Sequence, residues 1–155
     1  MLKKVMLMMN TLVTQFHTWL FDTGARVLEF INGASLIGYG LVFLLDNDLL
    51  NSYPIYYKFK TLPETPTMLF LIVLGLFQLI AMHWRGWRGE TASGFALIVS
   101  AFVWLMIFAA FFGDYPPLNT GMVFPIILWL LDTLAGKAIM HRARELRHQA
   151  ERGGV

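Results

Sequence analysis

Four separate stretches of predominantly apolar residues, 27–45, 67–84, 92–113 and 121–140, dominate this chain. A helix needs about 20 such residues to cross the hydrocarbon layer of a bilayer. Backbone placed in lipid must satisfy its N–H and C=O groups within its own helix or within a closed barrel. The stretches lack the alternating polarity of barrel strands, so the pattern predicts an all-α integral membrane protein with four transmembrane helices. Composition points the same way, because only 14% of the 155 residues are charged while 57% are apolar, against roughly 25% charged in an ordinary soluble domain. Thirteen Phe, five Trp and five Tyr exclude a solvated, disordered chain. The absence of cysteine excludes a disulfide scaffold and cysteine-ligated metal centres.

Charge placement predicts the orientation. With the N-terminus inside, ten of the twelve Lys and Arg residues fall on the cytoplasmic side, and only Lys58 and Lys60 lie outside. Basic loops stay in the cytoplasm during insertion, so both termini are expected there, in a bacterial inner membrane. Orientation accounts for the basic residues, so nucleic acid is not expected as a partner. The segment 1–25 carries Val5, Met8, Met9, Leu12, Phe16, Trp19 and Leu20 at helical spacing, which predicts an amphipathic helix lying in the inner interface. The 26–141 region is then the four-helix transmembrane domain, and 142–155 a basic cytoplasmic tail continuing the fourth helix. Arg85 and Arg88, in the tight turn between the second and third spans, and Arg142, Arg144 and Arg147 in the tail are the expected cytoplasmic contacts, against anionic lipid or a protein partner.

The spans also read as two tandem hairpins. At an offset of 54, Met68, Phe70, Ile72, Leu74, Leu76 and Ala81 fall on Met122, Phe124, Ile126, Leu128, Leu130 and Ala135, and Gln78 falls on Asp132. At an offset of 62, Tyr53-Pro54 falls on Tyr115-Pro116, and Ala34 and Gly38 fall on Ala96 and Ser100. The hairpins share orientation, which makes this a parallel pseudo-repeat. Small residues four apart let helix backbones approach closely in lipid, so Ala34, Gly38, Ala92, Ala96 and Ser100 predict a crossing of the first and third helices.

Ionisable residues within a span cost about 2.5–3.5 kcal/mol at its centre and mark functional candidates. Asp132 is the foremost, about twelve residues into the fourth span. It reads as an ion-path or proton-exchanging carboxylate, or as a protonated or hydrogen-bonded acid that sets helix register. Gln78, at the corresponding place in the second span, is expected to reach it across the bundle or between subunits. Glu29 lies within a turn of Arg26 and is expected to snorkel to the inner headgroups. His83 and His141, each following a Met, sit at the cytoplasmic boundary beside Arg and Trp, where an amphipathic ring is expected without haem. No cofactor is expected, and neither is a metal site. The external Asp46, Asn47, Asp48, Asn51, Tyr53 and Asp114 have no ligand spacing.

No catalytic motif is present: there is no His-Glu-x-x-His, no Gly-x-Ser-x-Gly and no phosphate-binding glycine loop opening a helix. In outline the chain resembles small polytopic membrane proteins of phages and mobile elements, holins among them, which combine short spans with a charged cytoplasmic tail. That resemblance is architectural and carries no residue roles across. The absence of catalytic motifs, the small-residue strips, the amphipathic interfacial helix and the mid-span Asp132 together lead to the expectation of a non-enzymatic protein that forms homo-oligomers and permeabilises or remodels the bilayer. The alternatives are a membrane anchor or accessory subunit that recruits a cytoplasmic partner, and a small proton-coupled transporter or redox subunit.

Overall fold

A computed structural model describes residues 24–45, 63–84, 86–113 and 120–152. The 1–25 amphipathic helix, but for its last two residues, lies outside the described residues, as do the external loop acids, Arg85 and Asp114. Four helices form the described chain: α1 (Gly24–Leu45), α2 (Glu64–Ala81), α3 (Trp87–Gly113) and α4 (Val123–Arg152), the last preceded by a single 3-10 turn, Thr120–Met122. Three of them, α1, α3 and α4, are long and apolar enough to cross a membrane, which marks the chain as membrane-integral; the apolar helix Thr65–Ala81 is shorter.

Local chemistry sets the helix ends. Pro63 caps α2 from extended backbone, φ −66° and ψ 115°, and its carbonyl accepts from both the amide and the hydroxyl of Thr67. Pro66 and Pro125 are each the third residue of their helix, where a missing N–H breaks no internal bond. The second helix ends at Ala81, three residues before the apolar pattern does. His83 and Trp84 bond back to Ile80 and Ala81 in a tightened last turn, and Gly86 takes a left-handed φ of 85° that only glycine adopts freely. The chain thereby reverses within five residues into α3. Past Met140, α4 continues unbroken to Arg152, supported by i,i+4 pairs such as Arg147 with Glu151 at 2.9 Å.

Packing is densest within two antiparallel hairpins, α1 with α2 and α3 with α4. In each, two glycines bring the backbones into contact. A Cβ added to Gly75 would sit 2.6 Å from the carbonyl oxygen of Gly33, and one added to Gly136 would sit 3.3 Å from that of Gly94. The surroundings correspond as well. Gly75 is flanked by Ile37 and Gly33 by Leu79, while Gly136 is flanked by Ile98 and Gly94 by Met140.

All four equivalences, Gly33 with Gly94, Ile37 with Ile98, Gly75 with Gly136 and Leu79 with Met140, share one offset of 61 residues. The two offsets read from the sequence are corrected by it. An offset of 54 is seven residues short, two helical turns, which keeps the same face but misplaces the second and fourth helices by about 10 Å along their axes. An offset of 62 is one residue long and rotates the first helix by about 100°. Ala34 and Gly38 are consequently exposed, with open space around Gly38, while Ala96 and Ser100 are fully buried and Ala92 is half-buried. The expected backbone crossing of α1 on α3 is replaced by contact through side chains.

The glycine contacts generate a stability test. Gly75→Ala forces backbone apart and should destabilise the protein by about 1–3 kcal/mol. Gly136→Ala meets chiefly the flexible end of Ile98, 2.9 Å away, and should cost less. Gly38→Ala meets nothing and should leave stability unchanged or slightly raised. Unfolding of the purified protein in detergent, followed by circular dichroism, checks that order.

Candidate functional site: a polar interior

Between the glycine contacts of the two hairpins lies a set of polar side chains withdrawn from the surface. Glu29 is 4% exposed, Ser93 2%, Asp132 1%, and Asn32, Gln78 and Ser100 are fully buried. The outer surface is built instead from Leu, Ile, Val, Phe and Met side chains, among them Val73, Phe95, Phe102 and Leu134. The bundle is therefore polar inside and apolar outside along its spans, the arrangement expected when lipid is the solvent.

Three helices meet at Ser93. Its hydroxyl donates a short hydrogen bond to Oε1 of Glu29 on α1 and accepts one of 3.1 Å from Nε2 of Gln78 on α2. Ser93 directly precedes Gly94, so the close approach of α3 to α4 also fixes where this hydroxyl stands. A second bond joins α1 to α3, with the indole N–H of Trp104 donating to Oδ1 of Asn32 at 2.8 Å. Since an indole N–H is only a donor, the Asn32 amide is oriented with its oxygen towards Trp104 and its NH2 away. Ser100 turns its hydroxyl back onto the carbonyl of Ala96 at 2.8 Å, satisfying itself within α3.

Among the described residues, three buried side-chain polar atoms lack a protein partner: Nδ2 of Asn32, Oε1 of Gln78 and Oδ2 of Asp132. Each such group carries a desolvation penalty of about 1–3 kcal/mol, more for a charged one, unless water or an ion meets it. Two are acceptors and one a donor, so the interior offers both kinds of site to a small polar guest.

At the basic end of the bundle a pocket of about 20 Å³, room for roughly one water, is lined by all four helices, with Glu29 and Ser93 beside Arg26, Glu90 and Arg142. Towards the other end of the described helices, aromatic rings cluster around Trp104. Tyr39 meets the edge of Trp104 with centroids 5.2 Å apart, and Phe124 packs on both, 6.0 Å from Trp104 and 6.5 Å from Tyr39. The same indole that binds Asn32 thus belongs to this aromatic cluster.

The sequence-derived candidates divide. Asp132 is buried and its Oδ2 has no protein partner among the described residues, but Gln78 does not reach it: Gln78 bonds Ser93, and in the true register the counterpart of Asp132 is Leu71 and that of Gln78 is Ile139. Glu29 points into the bundle rather than snorkelling, because the face it shares with Asn32, Gly33 and Leu36 is the buried one. Arg88, Arg142, Arg144 and Arg147 are exposed at the basic end. His83, just past the end of α2, bonds the carbonyl of Leu79 in its last turn at 2.8 Å, and His141 pairs with Glu145 at 3.4 Å. Among the described residues no three His, Asp or Glu side chains converge as a metal site.

Asn32 and Ser93 escaped the sequence reading, and so did the hydrogen bond of Trp104, whose place within the third span marks it only as a packing residue. A signal for the first two existed: Glu29-x-x-x-Gly33-x-x-Leu36-Ile37 recurs as Glu90-x-x-x-Gly94-x-x-Leu97-Ile98, 61 residues on, and places Asn32 and Ser93 at equivalent positions just before the contact glycine.

Trp104→Phe removes the indole N–H that Oδ1 of Asn32 accepts from and should destabilise the protein by about 1–3 kcal/mol. Adding Asn32→Leu should recover part of that loss, because the double variant no longer buries the unpaired Asn32 amide. Melting curves of the two single variants and the double variant check this coupling. No protein family, no curated protein and no solved structure matches the chain, so its role rests on the chemistry of this interior.

Proposed function

We propose that this protein spans a bacterial inner membrane four times, with both termini in the cytoplasm, and moves protons through its bundle by way of Glu29 and Asp132. The observation that carries this reading is the burial of two carboxylates inside a single bundle, 4% and 1% exposed, one of them bordering a water-sized pocket open at the basic end. Carboxylates are costly to insert and are retained within spans chiefly where they serve ion or proton paths. The four-span topology is supported by the length of α2, 18 residues or about 27 Å, and by its antiparallel packing on α1. Cytoplasmic termini follow from the basic residues gathered at the pocket end. The role is non-enzymatic.

A second reading, a homo-oligomer that permeabilises the membrane, is favoured by a different observation. Ala34 and Gly38 form a small-residue strip on the exposed face of α1, open to a second copy. In that reading the conducting path runs between subunits and the buried carboxylates are structural.

One reconstitution separates the two. Full-length protein in liposomes holding a pH-sensitive dye and, separately, a large anionic dye should dissipate an imposed proton gradient while retaining the large dye. Glu29→Gln and Asp132→Asn should each lower the proton flux at least tenfold with helicity unchanged. Release of the large dye that persists in Asp132→Asn selects permeabilisation instead. Liposomes that hold both gradients intact under either polarity of membrane potential overturn both readings.

A further inference from the structure

The basic end carries a second feature that the proton path does not use. Trp87 opens α3, and two guanidinium groups lie on its ring, that of Arg88 with Cζ 5.4 Å from the ring centroid and that of Arg147, from α4, at 5.6 Å. Cation–π attraction holds each of them there, yet it also gathers two like charges around one ring. Arg147 shares its charge with Glu151 at 2.9 Å, whereas Arg88 has no carboxylate partner among the described residues. The site thus keeps an uncompensated positive charge, and its planar donors match the oxygens of a phosphate.

The surface beside it specifies the source of that phosphate. Arg88, Phe95 and Phe102 recur every seven residues and share one face of α3, and Phe95 and Phe102 are 60% and 63% exposed. A charged group at the head of an exposed apolar track fits an amphiphile whose chain runs down the helix. A tryptophan at a helix end marks headgroup depth in a bilayer. A soluble phosphate would use the arginines and leave the phenylalanine track unoccupied.

We propose that Trp87, Arg88 and Arg147 form a seat for the headgroup of one anionic phospholipid, with its acyl chain along Phe95 and Phe102. The lipid phosphate bridges the two guanidiniums, relieves their mutual repulsion and ties the start of α3 to the cytoplasmic extension of α4. This seat is independent of whether the bundle carries protons.

Native mass spectrometry of the full-length protein from mixed phosphatidylglycerol and phosphatidylcholine nanodiscs tests it. The wild type should retain one phosphatidylglycerol in preference to phosphatidylcholine by at least tenfold. The double variant Arg88→Gln/Arg147→Gln should lose that preference, with circular dichroism showing the helices intact. Arg152→Gln, which removes the same kind of charge from a different face of α4, should keep it. Equal retention of the two lipids by the wild type overturns the seat, as does a loss in Arg152→Gln as large as in the double variant, which would indicate diffuse attraction. Displacement of phosphatidylglycerol by millimolar inorganic phosphate overturns the lipid assignment.

Discussion

Two backbone contacts, Gly33 on Gly75 and Gly94 on Gly136, organise everything else in this bundle. In lipid no hydrophobic effect drives one apolar helix onto another, and association depends on dispersion and on how closely the backbones approach. Glycine at both partners permits that approach. Because each pair fixes the height and rotation of its hairpin, it also fixes which residues face inward. Asn32 and Ser93, each one residue before a contact glycine, are carried into the interior by the same rotation that brings the glycines together.

The interior is polar as a consequence of that geometry and is expensive to keep. Glu29, Gln78 and Ser93 from three helices satisfy one another in part, and Trp104 satisfies Asn32, but atoms of Asn32, Gln78 and Asp132 remain without a protein partner. A bundle selected only for stability would fill these positions with Leu or Ala, as the repeat itself does where Leu71 stands opposite Asp132. The two hairpins share a backbone plan and differ in their polar residues. A water-sized pocket lies at the basic end, and Tyr39, Trp104 and Phe124 cluster towards the other.

The sequence reading succeeded where length and solvent preference decide, and failed where facing decides. Its two-hairpin plan holds, yet its offsets did not, and the errors have distinct causes. Sliding by seven residues preserves helical phase, so the apolar matches at 54 look as good as the true ones at 61 while Gln78 is set against Asp132 two turns too far along. Sliding by one residue rotates α1, and thus assigned Ala34 and Gly38 to an interface from which they point away. Glu29 was drawn to the headgroups by Arg26 nearby in sequence, although its companions on the helix face, Asn32, Gly33 and Leu36, are all buried.

By itself, the sequence determined the solvent, the helical class, the tandem hairpins and the single basic end, since these depend on how many apolar residues run together and where charges interrupt them. Only the tertiary structure decided which side of each helix faces inward, that Glu29 joins Ser93 and Gln78, that Trp104 both binds Asn32 and packs on Tyr39 and Phe124, and that Trp87 gathers two arginines. The physical reason lies in the solvent. In water the buried face of a helix is apolar and the exposed face polar, so the pattern records the facing. In lipid the exposed face is apolar too, the contrast disappears, and a few glycines and polar residues that repeat at one offset carry the information instead.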